Sequence, residues 1–235
     1  MSNLKPVYLL AGGRARNPAS FNPLFQAVFD ESGKTAPSVA YVGAASDDSK
    51  AFYLMMAAAL KGAGAGKVKL VVLASKKADV DKAKAILASS DVVYVSGGDV
   101  EHGMHVLADK NLTDFIVGLY KQGKPFFGIS AGSIMLAKAW IRWANPDDDS
   151  TAEIFPCLGI APVLCDTHGE ADGWEELQGL LKLEKDGTIG YGIVSGTAII
   201  VLPDGKIAAL AGAVHQYQKH NGQVVRIADI LPSVG

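Results

Sequence analysis

Pro125-Phe126-Phe127-Gly128-Ile129-Ser130-Ala131-Gly132-Ser133-Ile134-Met135 opens as an apolar, β-prone run, sets Ser130 between Gly128 and Gly132, and continues into helix formers through Ala137. Strand, sharp turn and helix in that order are the signature of a nucleophile elbow, in which the turn lifts a serine oxygen above the edge of a sheet. Small flanking residues are needed because strand and helix pass close together. The N–H of Ala131, just after the serine, is placed to face an oxyanion. Taken alone, Gly128–Gly132 is equally compatible with a β-to-α turn that carries an incidental serine.

Upstream, short apolar runs alternate with helical patterns. Strands are expected at Val7–Leu10, Val39–Val42, Val68–Leu73 and Val92–Val95, with helices near 22–32, 52–60, 79–88, 103–108 and 111–121. Ser46 or Asp47 is the expected cap of the second helix. The strands are apolar without a period of two, as in a parallel sheet covered on both faces. The reading is an α/β, doubly wound, mostly parallel sheet with helices on both faces. Ligands of such sheets bind beyond the carboxyl ends of the strands. Four small-residue segments fall there: 11–13, 43–46, 96–99 and 128–133.

Downstream the pattern changes. Trp140 to Trp143 leads to an acidic loop, Asp147-Asp148-Asp149. A strand is expected over Leu158–Leu164, reaching His168, then a helix over 173–182. Short β-runs follow at 190–194, 197–202, 207–211 and 224–227, read as antiparallel edge strands of the same sheet.

At 235 residues, 49% hydrophobic and 20% charged, the chain suits one α/β domain over 1–235. A net charge of −2 gives no electrostatic case for nucleic acid or an anionic membrane. Cys157 and Cys165, outside any C-x-x-C pattern, fit a reducing compartment, and no run has a signal-peptide or membrane-spanning layout. A cytoplasmic protein is the expectation.

A serine nucleophile needs a base, and the base an orienting group. Of five histidines, His168 closes a strand and stands at the right end of the sheet. His102 and His105 follow the Gly97-Gly98 loop, and His215 and His220 lie in the late β-segment. The aspartates 147–149 give the chain order serine, acid, histidine, although such a run also reads as a solvated turn. Gly97-Gly98 is suited to a second oxyanion N–H or to a plain turn. Neither cysteine sits at a turn with small flanks, so a thiol nucleophile is not expected.

These residues together resemble the serine peptidase family that contains aspartyl dipeptidase (peptidase E) and cyanophycinase. The likeness rests on Leu9-Leu10-Ala11-Gly12-Gly13, Val95-Ser96-Gly97-Gly98-Asp99, Gly128-Ile129-Ser130-Ala131-Gly132, and Leu158-Gly159-Ile160 with Pro162 leading to His168. It spans residues 7 to about 215 and implies a fold similar to class I glutamine amidotransferases, with serine in place of cysteine. It implies Ser130 as nucleophile, His168 as general base and acid, and the N–H groups of Gly98 and Ala131 as oxyanion hole. It also implies an acid after the elbow helix, met by Asp147 or Asp148. No metal or cofactor is implied, and the partner is a small peptide, with pairing into a homodimer left open.

Three departures stand out. Asp99 occupies a position where the family has asparagine. The segment after His168, Gly169 to Glu176, is acidic where the family has arginines, with Arg14, Arg16 and Arg142 as the basic residues left to replace them. Asp166, two residues before His168 on the strand, is a third candidate for the orienting acid. Two rival readings remain: a silent relative that binds a metabolite or peptide, and a hydrolase of other esters or amides.

Overall fold

The computed structural model describes residues 4–12, 21–145 and 147–232. Its first half alternates strands β1 (Val7–Leu10), β2 (Val39–Val42), β3 (Val68–Val71), β4 (Val92–Val95) and β5 (Phe126–Ile129) with helices α1 (Asn22–Asp30), α2 (Lys50–Gly62), α3 (Val80–Ser89), α4 (Val100–Asp109), α5 (Thr113–Lys121) and α6 (Ala131–Leu136). There follow β6 (Ala139–Trp143), β7 (Ala152–Pro156), β8 (Leu164–Thr167), α7 (Glu175–Leu183), β9 (Ile189–Ile193), β10 (Ala198–Val201), β11 (Ile207–Leu210), β12 (Val214–His220) and β13 (Gln223–Ile230).

The large sheet has the order β11-β10-β1-β5-β4-β2-β3. Strands β1 to β5 run parallel, and β10 and β11 add antiparallel. Every residue of β1, β2 and β4 is buried, which explains the lack of alternation in their sequences. One face buries Val42, Val95, Phe126 and Met135 under α3 to α6. The other stacks Tyr41, Tyr94 and Phe127 in a row, with centroid spacings of 5.1 and 4.8 Å, beneath Phe25 and Phe29 of α1. Truncating one of these rings to alanine would cost on the order of 3–5 kcal/mol.

Several expectations are corrected. Helix α2 is capped by Ser49, which accepts the N–H of Phe52, and not by Ser46 or Asp47. Asp47 and Asp48 both take φ of 53°, so the turn is prolonged before the helix can start. Asp48 instead accepts the N–H groups of Leu73 and Ala74 and ties this turn to the end of β3. The segment 158–163 is not a strand. Its amides at Leu158, Gly159 and Ala161 donate to the carbonyls of Met135, Ala137 and Leu136, which the short helix α6 leaves open.

The late strands do not all extend the large sheet. Only β10 and β11 do, while β8, β9, β12 and β13 form a separate sheet of order β13-β12-β9-β8. Strands β6 and β7 make an unforeseen hairpin, and the acidic run 147–149 lies in its turn. Among the described residues no helix is long and apolar enough to cross a membrane.

Candidate active site

Ser130 follows β5 directly and precedes α6, with φ 55° and ψ −128°. A left-handed φ on a non-glycine residue is costly and persists only where the surroundings enforce it. Here they do. The Ser130 N–H donates to Leu10 O at 2.9 Å and its carbonyl accepts from Ser133, while Ser133 Oγ donates to Leu10 O at 2.8 Å. A Cβ at Gly128 would collide with the carbonyl of Gly132, and one at Gly132 with the carbonyl of Val95. The glycines on both sides of the serine are thus the condition for β4, β5 and α6 to pass at contact distance.

The loop after β4 crosses directly over the serine. A Cβ at Gly97 would lie 3.1 Å from Ser130 Cβ. Gly98 has φ of 144° and packs on the Ala45 carbonyl, so no side chain fits there. Neither the Gly98 nor the Ala131 amide has a hydrogen-bond acceptor among the described residues. Asp99 turns away from this loop: its carboxylate caps α4 by accepting the His102 N–H at 2.7 Å.

His168 follows β8 with φ of 66°. The left-handed backbone breaks the alternation of the strand, so His168 and Asp166 do not share a face. Its Nδ1 lies 3.1 Å from Ser195 Oγ. Its opposite edge, Cε1 and Nε2, faces Gly12 at the end of β1, 3.6 Å from where a Cβ would stand. Burial depresses the His168 pKa below the ordinary range, and the charge of Glu170 offsets this only in part. Ser195, in the turn before β10, donates its backbone N–H to the Glu170 carboxylate at 2.5 Å. Burial opposes ionisation of Glu170, but bonds from Ser195 and the charge of His168 outweigh it and hold the carboxyl low.

The acidic candidates lie elsewhere. Asp148 accepts the N–H and Oγ–H of Ser150 within its own turn, which holds its pKa down. Asp147 is exposed, and its N–H bonds to Asn145 in the same turn. Asp166 is buried within β8 and accepts the Thr167 N–H. Burial, then the charge of Glu176, raise its pKa to about 7. The hydrogen-bond partner of His168 is therefore Ser195, a residue the sequence reading passed over. Of the basic residues, Arg142 is engaged by Glu101 and Glu153 at 2.7 Å each and stacks on Phe155. Arg14 and Arg16 lie outside the described residues. His102 pairs with Asp47, His105 with Glu101, and His215 with Asp229. Burial pushes the Cys157 thiol up to about 12 and holds that of Cys165 well above its ordinary range, so both are inert. No cluster suited to a metal ion occurs among the described residues.

Ser130, His168, Glu170 and Ser195 open onto one cleft of about 730 Å³ at the carboxyl ends of β1 and β5. Its lining is largely apolar and includes Phe21, Phe25, Phe52, Met55, Met56 and Ala59. That volume falls within the usual range for small-molecule sites.

No curated protein matches the sequence. Among solved structures, a peptidase from an acI-B1 Actinobacterium superposes with a TM-score of 0.72 at 15% identity, covering 95% of this chain and 97% of that one. A candidate peptidase E from Listeria monocytogenes EGD-e gives 0.63 at 17% identity, covering 88% and 98%. At those identities the likeness is one of fold. The sequence itself matches the model of peptidase family S51 over residues 7–208, the region that holds Ser130, His168 and Ser195. The chain belongs to peptidase family S51 and is a serine peptidase.

Proposed function

We propose that the protein hydrolyses short peptides through an acyl-enzyme on Ser130. The observation that carries this reading is the strained Ser130, which lies under the Gly97 loop and shares one cleft with His168, a histidine of depressed pKa. A neutral His168 whose Nδ1–H donates to Ser195 presents Nε2 as acceptor. Ser130 Oγ gives its proton to Nε2 as it attacks the scissile carbonyl. The oxyanion is received by the amides of Ala131 and Gly98, and each such donor contributes about 3–4 kcal/mol to transition-state stabilisation. His168 then protonates the leaving amine, and a water, deprotonated by the same Nε2, releases the acid. Ser130 and His168 face the same cleft without a direct hydrogen bond, and such contacts commonly tighten only in the complex with substrate.

In this proposal His168 is oriented by Ser195, backed by Glu170, rather than by Asp147 or Asp148. The imidazolium formed in the transition state would donate to a hydroxyl held against a carboxylate. The fold and the two free amides would serve ester or other amide substrates equally, so a substrate panel defines the range. The decisive test is labelling with a fluorophosphonate. Stoichiometric labelling of wild type, abolished in Ser130→Ala together with peptide turnover, is expected. An unlabelled wild-type protein overturns the reading in favour of a silent relative.

A further inference from the structure

Helix α2 carries two apolar stripes. Tyr53, Ala57 and Leu60 face the sheet, with Tyr53 edge-on to Tyr41 at 5.2 Å. Phe52, Met55, Met56 and Ala59, spaced i, i+3, i+4 and i+7, line the cleft, with Met56 and Ala59 also touching the core beneath. The first stripe suffices to pack the helix. The second stays partly in solvent, with Phe52 36% and Met55 48% exposed. Across the cleft stands the aromatic pair Phe21 and Phe25, with centroids 6.1 Å apart. Ile129, the residue before the reactive serine, forms part of the floor.

From this geometry we infer that the cleft takes a bulky apolar acyl group, such as the side chain of phenylalanine or leucine on the residue whose carbonyl Ser130 attacks. The inference rests on the serine peptidase reading for its chemistry but not for its binding. The acyl group is the part that stays bonded to Ser130 after the amine leaves past His168, so it occupies the wall nearest Ile129. Methionine side chains adapt to irregular apolar ligands. Among the described residues that line the cleft, none is a lysine or arginine, and the one carboxylate, Glu170, is held by Ser195. An aspartate side chain placed there would lose its water without gaining a partner.

The test separates binding from catalysis. Calorimetry on Ser130→Ala measures the affinities of Phe-Leu, Leu-Leu, Asp-Leu and Arg-Leu, and the wild type is assayed on the same four. Phe-Leu and Leu-Leu are expected to bind, and to be cleaved in kcat/KM, at least tenfold better than Asp-Leu or Arg-Leu. Met55→Asp, a substitution at a half-exposed position, should erase that preference while the protein keeps its unfolding midpoint. Equal affinities, or a preference for Asp-Leu or Arg-Leu, overturn the inference. Selective binding of the apolar dipeptides by a wild type that takes no label would sustain the pocket assignment and sink the peptidase reading.

Discussion

Replacing Ser195 with alanine removes one hydroxyl, 3.1 Å from His168 Nδ1, and nothing of the cleft's apolar wall. With neutral imidazole that hydrogen bond is worth about 1 kcal/mol net. With imidazolium it becomes charge-assisted and worth about 1.5–3 kcal/mol. The excess is felt only in the transition state, with loss of the preferred tautomer added to it. The expected fall in kcat is about 10- to 100-fold, since each 1.36 kcal/mol is a factor of ten. KM should stay within about twofold, because in this scheme the hydroxyl does not touch the substrate. Steady-state hydrolysis of the best dipeptide measures both constants. Ser195→Thr, which keeps the hydroxyl, should recover most of the loss, and a merely structural role would not predict that rescue. Asp148→Asn, whose carboxylate serves only Ser150, should behave as wild type. If Ser195→Ala turns over within twofold of wild type while Asp148→Asn loses more than tenfold, the relay is wrong and the acid lies in the hairpin turn.

The acid limb of kcat/KM should have its midpoint below the ordinary histidine value of about 6.5, since activity appears as His168 loses its proton. Glu170→Gln, by removing the charge that supports protonation of His168, should move that midpoint lower still, as a pH–rate profile would show. Asp166 binds a proton in the folded state up to about pH 7, whereas the unfolded chain releases it near 3.8. Stability therefore falls as pH rises between those values, by up to about 4 kcal/mol, and Asp166→Asn should stabilise the protein at pH 8 more than at pH 4 in urea titrations. Gly132→Ala drives a methyl group into the Val95 carbonyl and should cost about 1–3 kcal/mol or prevent folding, read from denaturation midpoints. Asp99→Asn should leave stability unchanged, because asparagine caps a helix as well as aspartate does, while Asp99→Ala should cost about 1 kcal/mol.

Much of this architecture is local, and so it could be read. The buried strands β1, β2 and β4 are continuous apolar runs, and the glycines around Ser130 mark a strand and helix in close approach. His168 was placed at a strand end by its neighbours alone. The contact of His168 with Ser195 was not legible, because it is made by tertiary pairing. Parallel register of Thr167 with Ile193 brings residues 168 and 195 side by side from positions 27 apart in the chain. A serine in a Ser-Gly turn carries no signal of its own. The aspartates of the hairpin misled for the converse reason: three adjacent carboxylates draw attention, yet the fold uses one of them to hold Ser150. Alternation along β8 also pointed to Asp166, and it failed where His168 enters the left-handed region. The second sheet escaped notice because short antiparallel strands look the same whether they extend one sheet or found another.

The serine hangs from the seven-stranded sheet and the histidine from the four-stranded one. The seam between them is the turn 194–197, which joins β9 to β10: Ala11 donates to Thr197 and Gly196 to Gly12 on the seven-stranded side, while His168 donates to Ile193 within the four-stranded sheet. In the proposed reaction the gap that a proton must cross is therefore the difference between two positions fixed by separate frameworks. Anything that shears one framework against the other, whether pressure, heat or a substitution in the seam, is magnified at that gap. Turnover would fade along such a strain while every strand remained intact, which makes the reaction a gauge of alignment long before it becomes a gauge of folding.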